Sequence, residues 1–210
     1  MTKNEKREII SKYLDELFPN PKCELIYHND YELLIAIVLS AQTTDKRVNM
    51  VTPILFSKYP TLEKLSEAPI DLLEEILKPI GSFRKKAIYV KDIAYNLTTK
   101  YQGVVPTDRE KLEKLKGVGR KTINVFLSEY YNYPAIAVDT HVERISKRLR
   151  IASKKATVLE VEEKLQKFFP KDEWAKRHLQ LVLFGRYHCK AVKPDCSSCP
   201  LKELCRDYKN

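Results

Sequence analysis

Apolar positions recur along the chain with the period of a helix almost throughout. Leu33, Leu34, Ile37, Val38 and Ala41 repeat at helical spacing behind Asp30, an acidic residue suited to cap a helix start. Thr107-Asp108-Arg109-Glu110 and Thr157-Val158-Leu159-Glu160 both have the form of capping boxes and predict two further helix starts. Tyr59-Pro60, Ala68-Pro69, Lys78-Pro79, Val105-Pro106, Tyr133-Pro134 and Phe169-Pro170 punctuate the chain at helix-sized intervals. The best strand-like segment, Ala135 to Val138, is short and has no obvious pairing partner. Low-complexity tracts and long linkers are absent. An all-α fold is predicted.

Composition changes this picture only at its edges. With 210 residues and 43% hydrophobic content, the chain suffices for one domain or two small ones with real cores. No apolar run approaches the roughly 18 residues needed to cross a membrane. The stretch from Met1 to Lys12 is polar and charged rather than signal-like, so a cytoplasmic, reducing compartment is expected. Thirty-eight basic against 28 acidic side chains leave a net charge of +10. That balance favours a polyanionic partner such as nucleic acid, although a merely lysine-rich protein would show it too.

Four of the five cysteines stand at Cys189-x6-Cys196-x2-Cys199-x5-Cys205. In a reducing compartment such a cluster points to metal rather than disulfides. Structural zinc sites usually present paired Cys-x2-Cys knuckles, and only one such pair occurs here. Iron–sulfur clusters accept four thiolates at irregular spacings, so a cubane fits the pattern at least as well. Cys23 lies outside the spacing and reads as a free thiol.

A second segment, Leu115-Lys116-Gly117-Val118-Gly119-Arg120-Lys121-Thr122, joins helices expected over about Arg109–Leu115 and Arg120–Tyr131. Two glycines permit positive φ and leave backbone N–H groups uncovered at the positive end of the following helix, a ready anion site. With Lys116 and Arg120 beside it, the turn is suited to hold a phosphate without reading bases. A tight αα-turn that needs glycine only for geometry is the alternative. Twenty residues on, Asp139 follows an apolar stretch and precedes a basic helix expected over Val142–Arg150, where capping alone would account for it. His141 reads as an ordinary helix-start histidine.

Together these residues resemble the endonuclease III family, DNA glycosylases of the helix-hairpin-helix superfamily. The likeness runs essentially end to end. It takes in Leu39-Ser40-Ala41-Gln42-Thr43-Thr44-Asp45, the hairpin Gly117 to Thr122, Val138-Asp139-Thr140-His141 and the four cysteines. The resemblance implies a six-helix barrel over residues 22–133. It implies a second helical domain, 1–21 with 134–210, in which Cys189, Cys196, Cys199 and Cys205 hold one [4Fe-4S] cluster. Double-stranded DNA with damaged bases or abasic sites would lie in the cleft between domains, and a monomer is expected.

The resemblance makes Lys121 the nucleophile that attacks C1′, expels an oxidised pyrimidine and, through a Schiff base, permits β-elimination of the strand. A lysine must lose its proton before it attacks. The positive helix end and Arg120 both favour that loss, and burial in a cleft would add to it. Asp139 would stabilise the developing positive charge or relay protons while still capping its helix. Extruding the nucleotide leaves a gap in the stack. The resemblance assigns Gln42 to fill it, with Ser40 and Asp45 lining the pocket and Glu113 near the active site. Lys116, Gly117, Val118, Gly119, Arg120 and Thr122 would meet the DNA backbone, as would Lys190 and Lys193 beside the cysteines. Two departures from the family pattern stand out. Ser82 occupies the place of the usual wedge leucine, which shifts that role to Phe83 or Ile80 or weakens it, and Lys116 replaces a proline. A monofunctional mismatch or adenine glycosylase is an alternative, but the adenine enzymes lack the hairpin lysine. A non-catalytic DNA-binding module would have no reason to keep both Lys121 and Asp139.

Overall fold

The computed structural model describes residues 1–208. They divide into two compact units, residues 24–131 forming one and residues 1–23 folding with 132–210 to form the other. The first helix, α1 (Lys3–Leu17), opens on a reciprocal capping box between Thr2 and Glu5 that the sequence reading did not register.

The 24–131 unit contains α2 (Asp30–Leu39), α3 (Asp45–Lys58), α4 (Leu62–Glu67), α5 (Ile70–Leu77), α6 (Phe83–Lys100), α7 (Arg109–Glu113) and α8 (Arg120–Tyr131). Residues 33–39, from Leu33 to Leu39, are all buried. A helix apolar on every side belongs inside, and α2 accordingly packs against α3, α6 and α8. Its cap differs from expectation. Asn29, not Asp30, accepts the Glu32 amide at 2.9 Å, because the Asp30 carboxylate is drawn to the Val105 amide at 3.0 Å. The start of α7 differs likewise. Asp108 accepts the Lys111 amide at 3.0 Å, and the box expected from Thr107 and Glu110 gives way to this single-residue cap.

In the other unit, Ala135, Ile136, Ala137 and Val138 are buried but form no strand among the described residues. They lead into α9 (Thr140–Arg148), α10 (Val158–Phe168) and α11 (Trp174–Tyr187). The Thr157–Glu160 capping box of α10 is formed as expected. Ile10 and Leu14 of α1 share one apolar core with Val142, Ile145, Leu181 and Phe184. A polar seam accompanies it. Arg177, with 4% of its side chain exposed, binds Asp15 at 2.9 Å and Glu173 at 2.8 Å. The Gln180 amide donates to the Leu14 and Phe18 carbonyls and to Asp15. Burial works against the Asp15 carboxylate, but the Arg177, Lys176 and Gln180 donors outweigh it and hold its pKa well below the usual range. Removing Asp15 would leave the buried Arg177 guanidinium short of a partner, so α1 is fixed to α11 by more than apolar contact.

Candidate nucleic-acid interface and cysteine site

The hairpin is built by α7, a glycine turn and α8. Arg109 in α7 donates to the Asn124 side chain of α8 at 2.7 Å and ties the two helices together. Gly117 has φ +81°, and a Cβ there would collide with the Tyr89 ring of α6. Glycine is therefore required at this position twice over. A Cβ at Gly119 would meet nothing within 4 Å. That side of the turn is open to a ligand, while the Gly117 side is filled by protein. The Val118 side chain is buried and anchors the turn, its amide bonded to the Leu115 carbonyl at 3.1 Å.

Lys121 lies in the first turn of α8 and is exposed, as are Arg120 and Lys116, while Thr122 is half-buried. The burial expected of Lys121 is not found. Lys116 is not a free cation. Its Nζ pairs with Asp92 at 3.0 Å and its amide donates to the same carboxylate at 3.3 Å, so part of its charge buttresses the turn against α6.

The remaining pocket candidates divide. Gln42 is exposed at the tip of the α2–α3 turn with φ +54°, a left-handed conformation that is uncommon for a residue with a side chain. Ser40 is half-buried and its hydroxyl donates to the Ile37 carbonyl at 2.8 Å, which commits its proton to the end of α2. Asp45 is the half-buried first residue of α3. Glu113 is exposed at the end of α7, because α7 turns only its Leu112 side inward. Ile80 is 2% exposed and belongs to the core, which removes it as a wedge. Phe83, half-buried with the Arg84 guanidinium 4.8 Å over its ring, is the aromatic available beside Ser82.

Asp139 belongs to the other unit, where it caps α9. Its Oδ1 accepts the Val142 amide at 2.8 Å, and the carboxylate is half-buried. One oxygen suffices for the cap. The second accepts no hydrogen bond from the described residues, so capping leaves an acceptor for chemistry.

Cys189, Cys196, Cys199 and Cys205 line one cavity with Tyr13, Leu149, Phe184 and Leu201. Two arginines of α9, which the sequence reading passed over, hold the loop around it. Arg144 donates to the Gly185 and Cys189 carbonyls at 2.7 and 3.0 Å. Arg148 donates to the Cys189 sulfur at 3.3 Å and to the Lys190 carbonyl at 2.8 Å. Their spacing of four residues on one basic helix was the available signal. Burial pushes the Cys189 and Cys199 thiols up, and for Cys189 the Arg148 hydrogen bond opposes it. A tetrahedral zinc ion, with Zn–S near 2.3 Å, needs its four sulfurs within about 4 Å of one another. Among the described residues no three His, Cys, Asp or Glu side chains stand closely enough to share a single ion. The four thiols around one cavity are the donor set available to a metal centre. Lys190 and Lys193 are exposed on the same loop.

Residues 35–171 match the HhH-GPD superfamily of base excision DNA repair proteins. Endonuclease III of Bacillus subtilis is 48% identical over 194 residues, covering 92% of this chain and 89% of the relative. Endonuclease III of Escherichia coli K12 is 41% identical over 209 residues, 100% of this chain and 98% of the relative. A solved structure of a trapped endonuclease III–DNA covalent intermediate superposes with a TM-score of 0.93 at 50% identity, covering 98% of this chain and 96% of that one.

Proposed function

The chain belongs to the endonuclease III family of the HhH-GPD superfamily, and from that premise we propose how its own residues carry out the family's reaction. It is a bifunctional base-excision repair enzyme, a DNA glycosylase and abasic-site lyase acting on double-stranded DNA. Its substrates, in this reading, are oxidised pyrimidines. The observation that carries the mechanism is the exposed Lys121 at the head of α8, next to an unobstructed Gly119. The covalent protein–DNA intermediate trapped in a relative half identical to this chain supports an amine nucleophile.

Backbone amides on the Gly119 side of the hairpin bind a backbone phosphate. The neutral Lys121 amine then forms a bond to C1′ as the C1′–base bond breaks, and the base leaves with that electron pair and takes up a proton. Asp139, through the carboxylate oxygen not used in capping, stabilises positive charge at the sugar and accepts protons. Opening of the sugar gives the Schiff base. Loss of a C2′ proton then expels the 3′ phosphate and cuts the strand. Gln42 fills the vacated stack, and Phe83 parts the bases in place of the serine at 82. Lys190 and Lys193 add sequence-independent phosphate contacts. In this reading it works as a monomer on cytoplasmic, nucleoid DNA, the relatives named above being bacterial proteins.

The test is product identity on duplexes carrying thymine glycol, an abasic site or a mismatch. Release of thymine glycol with β-elimination 3′ to the lesion is expected, and base release without strand cleavage would overturn the bifunctional reading. In the same assay, Phe83→Ala should slow excision of a paired lesion more than cleavage of a preformed abasic site. Equal loss of both would return the wedge role to another residue.

Cys189, Cys196, Cys199 and Cys205 hold a [4Fe-4S] cluster in this reading. When bound it crosslinks the loop that carries Lys190 and Lys193, and no step of the reaction passes through it. Its positive charge would also deprotonate thiols that burial otherwise keeps neutral. Protein prepared without oxygen should be brown and contain about four irons per chain. Colourless protein with one zinc would refute the assignment.

A further inference from the structure

One buried cation in the 24–131 unit has no part in the mechanism above. Lys86, in the first turn of α6, is 4% exposed. Its Nζ donates to the Thr43 hydroxyl at 2.8 Å, and among the described residues no carboxylate pairs with it. Burial alone pushes this ammonium down from its usual value. An unpaired charge is expensive to desolvate, so a lysine kept here points to a role that an apolar side chain could not fill.

Its position suggests the role. Thr43 directly follows Gln42, which sits in the left-handed region at φ +54°. Ser82, one residue before α6, sits there too, at φ +56°, and its carbonyl accepts the Lys86 amide at 3.0 Å. The two turns abut. A Cβ on Gly81 would lie 3.9 Å from the Gln42 carbonyl oxygen and 4.0 Å from the Thr43 hydroxyl. Residues with side chains occupy the left-handed region at a cost and stay there only when their surroundings enforce it. Both exposed tips, Gln42 and Ser82, are thus held in costly conformations beside a side-chain tie between their turns.

We infer that Lys86 is a positioning residue that locks the Gln42 turn to the Ser82–Phe83 turn, so that the group filling the stack and the group parting the bases enter DNA as one rigid piece. This rests on the proposed roles of Gln42 and Phe83. Lys86 itself touches neither DNA nor the reacting atoms. Its work is done through the Thr43 hydroxyl, and its effect is confined to substrates in which a nucleotide must be extruded. Without the tie each tip would have to be ordered separately at the moment of extrusion.

The experiment compares thymine glycol excision from duplex DNA with cleavage of an abasic site in single-stranded DNA, where no extrusion is needed. Lys86→Met keeps the length and removes the donor, and Thr43→Val keeps the shape and removes the acceptor. Each should lower duplex excision by about tenfold, the scale of one hydrogen bond from a charged donor, and leave single-strand cleavage within about twofold. Thr43→Ser should restore the duplex rate, and the double variant should be no slower than either single one. Equal loss on both substrates, no loss on either, or failure of Thr43→Ser to rescue would overturn the inference. Should Lys86→Met fail to fold, the Thr43 pair decides the matter alone. A Gln42→Ala variant with an unchanged duplex rate would instead overturn the role of Gln42, and wild-type protein inactive on both substrates would overturn the functional reading itself.

Discussion

Lys121→Gln abolishes borohydride trapping on lesion-bearing DNA and lowers strand cleavage by at least about 10⁴-fold, the scale on which an enzyme loses its nucleophile. Glutamine keeps polarity and reach but has no basic amine, so no imine forms and nothing is left for borohydride to reduce. Lesion binding should survive. Phosphate capture belongs to the turn amides and the cations around them, and the Gly117 backbone that shapes the turn packs on Tyr89 and not on Lys121. Affinity should fall steeply with salt, with the same slope in wild type and variant, because both neutralise the same phosphates. A gel assay for the covalent adduct and a salt titration of binding check the two halves separately. An adduct that persists in Lys121→Gln would mean that another amine attacks C1′.

Asp139→Asn is expected to reduce base excision by roughly two to four orders of magnitude through loss of charge alone. Asparagine caps a helix about as well as aspartate, so α9 should keep its start and the protein its stability to within about 0.5 kcal/mol. The structure makes this a clean substitution. Only Oδ1 takes part in the cap, accepting from Val142, and the asparagine carbonyl oxygen can replace it. Single-turnover excision rates, read beside a melting curve, separate chemistry from capping. A near-normal rate with an intact melting transition would leave Asp139 with its structural duty only.

How far the sequence could be read followed the locality of each interaction. The all-α fold was legible because helical periodicity, the Thr157–Glu160 box and the X-Pro breaks are local signals that tertiary contacts did not overrule. The caps of α2 and α7 were misread by one residue because a rival polar neighbour competed for each, and only the fold settles which one points at the open amides. Ile80 and Glu113 show the same limit from the other side. The family resemblance placed both near the candidate site, but which side of the chain turns inward depends on contacts distant in sequence. Lys86 was invisible for that reason. It stands among Arg84 and Lys85 in a run that reads as solvated charge, yet it alone of the three is buried. For Arg144 and Arg148 the four-residue spacing on a basic helix marks a shared face, but it does not say that this face closes over cysteines some 40 residues later.

The joining of residues 1–23 to 132–210 has a consequence for biosynthesis. Residues 24–131 are contiguous, so their unit can close as soon as Tyr131 has left the ribosome. Helix α1 emerges first but cannot bury Ile10 and Leu14 until Leu181 and Phe184 have been translated. At about 5–20 residues per second this leaves an amphipathic leader waiting on the order of ten seconds or more with its apolar stripe uncovered. The nascent chain is therefore exposed to misassociation at α1, and Cys205 is the last of the four cysteines to reach the cavity that α1 helps to line through Tyr13.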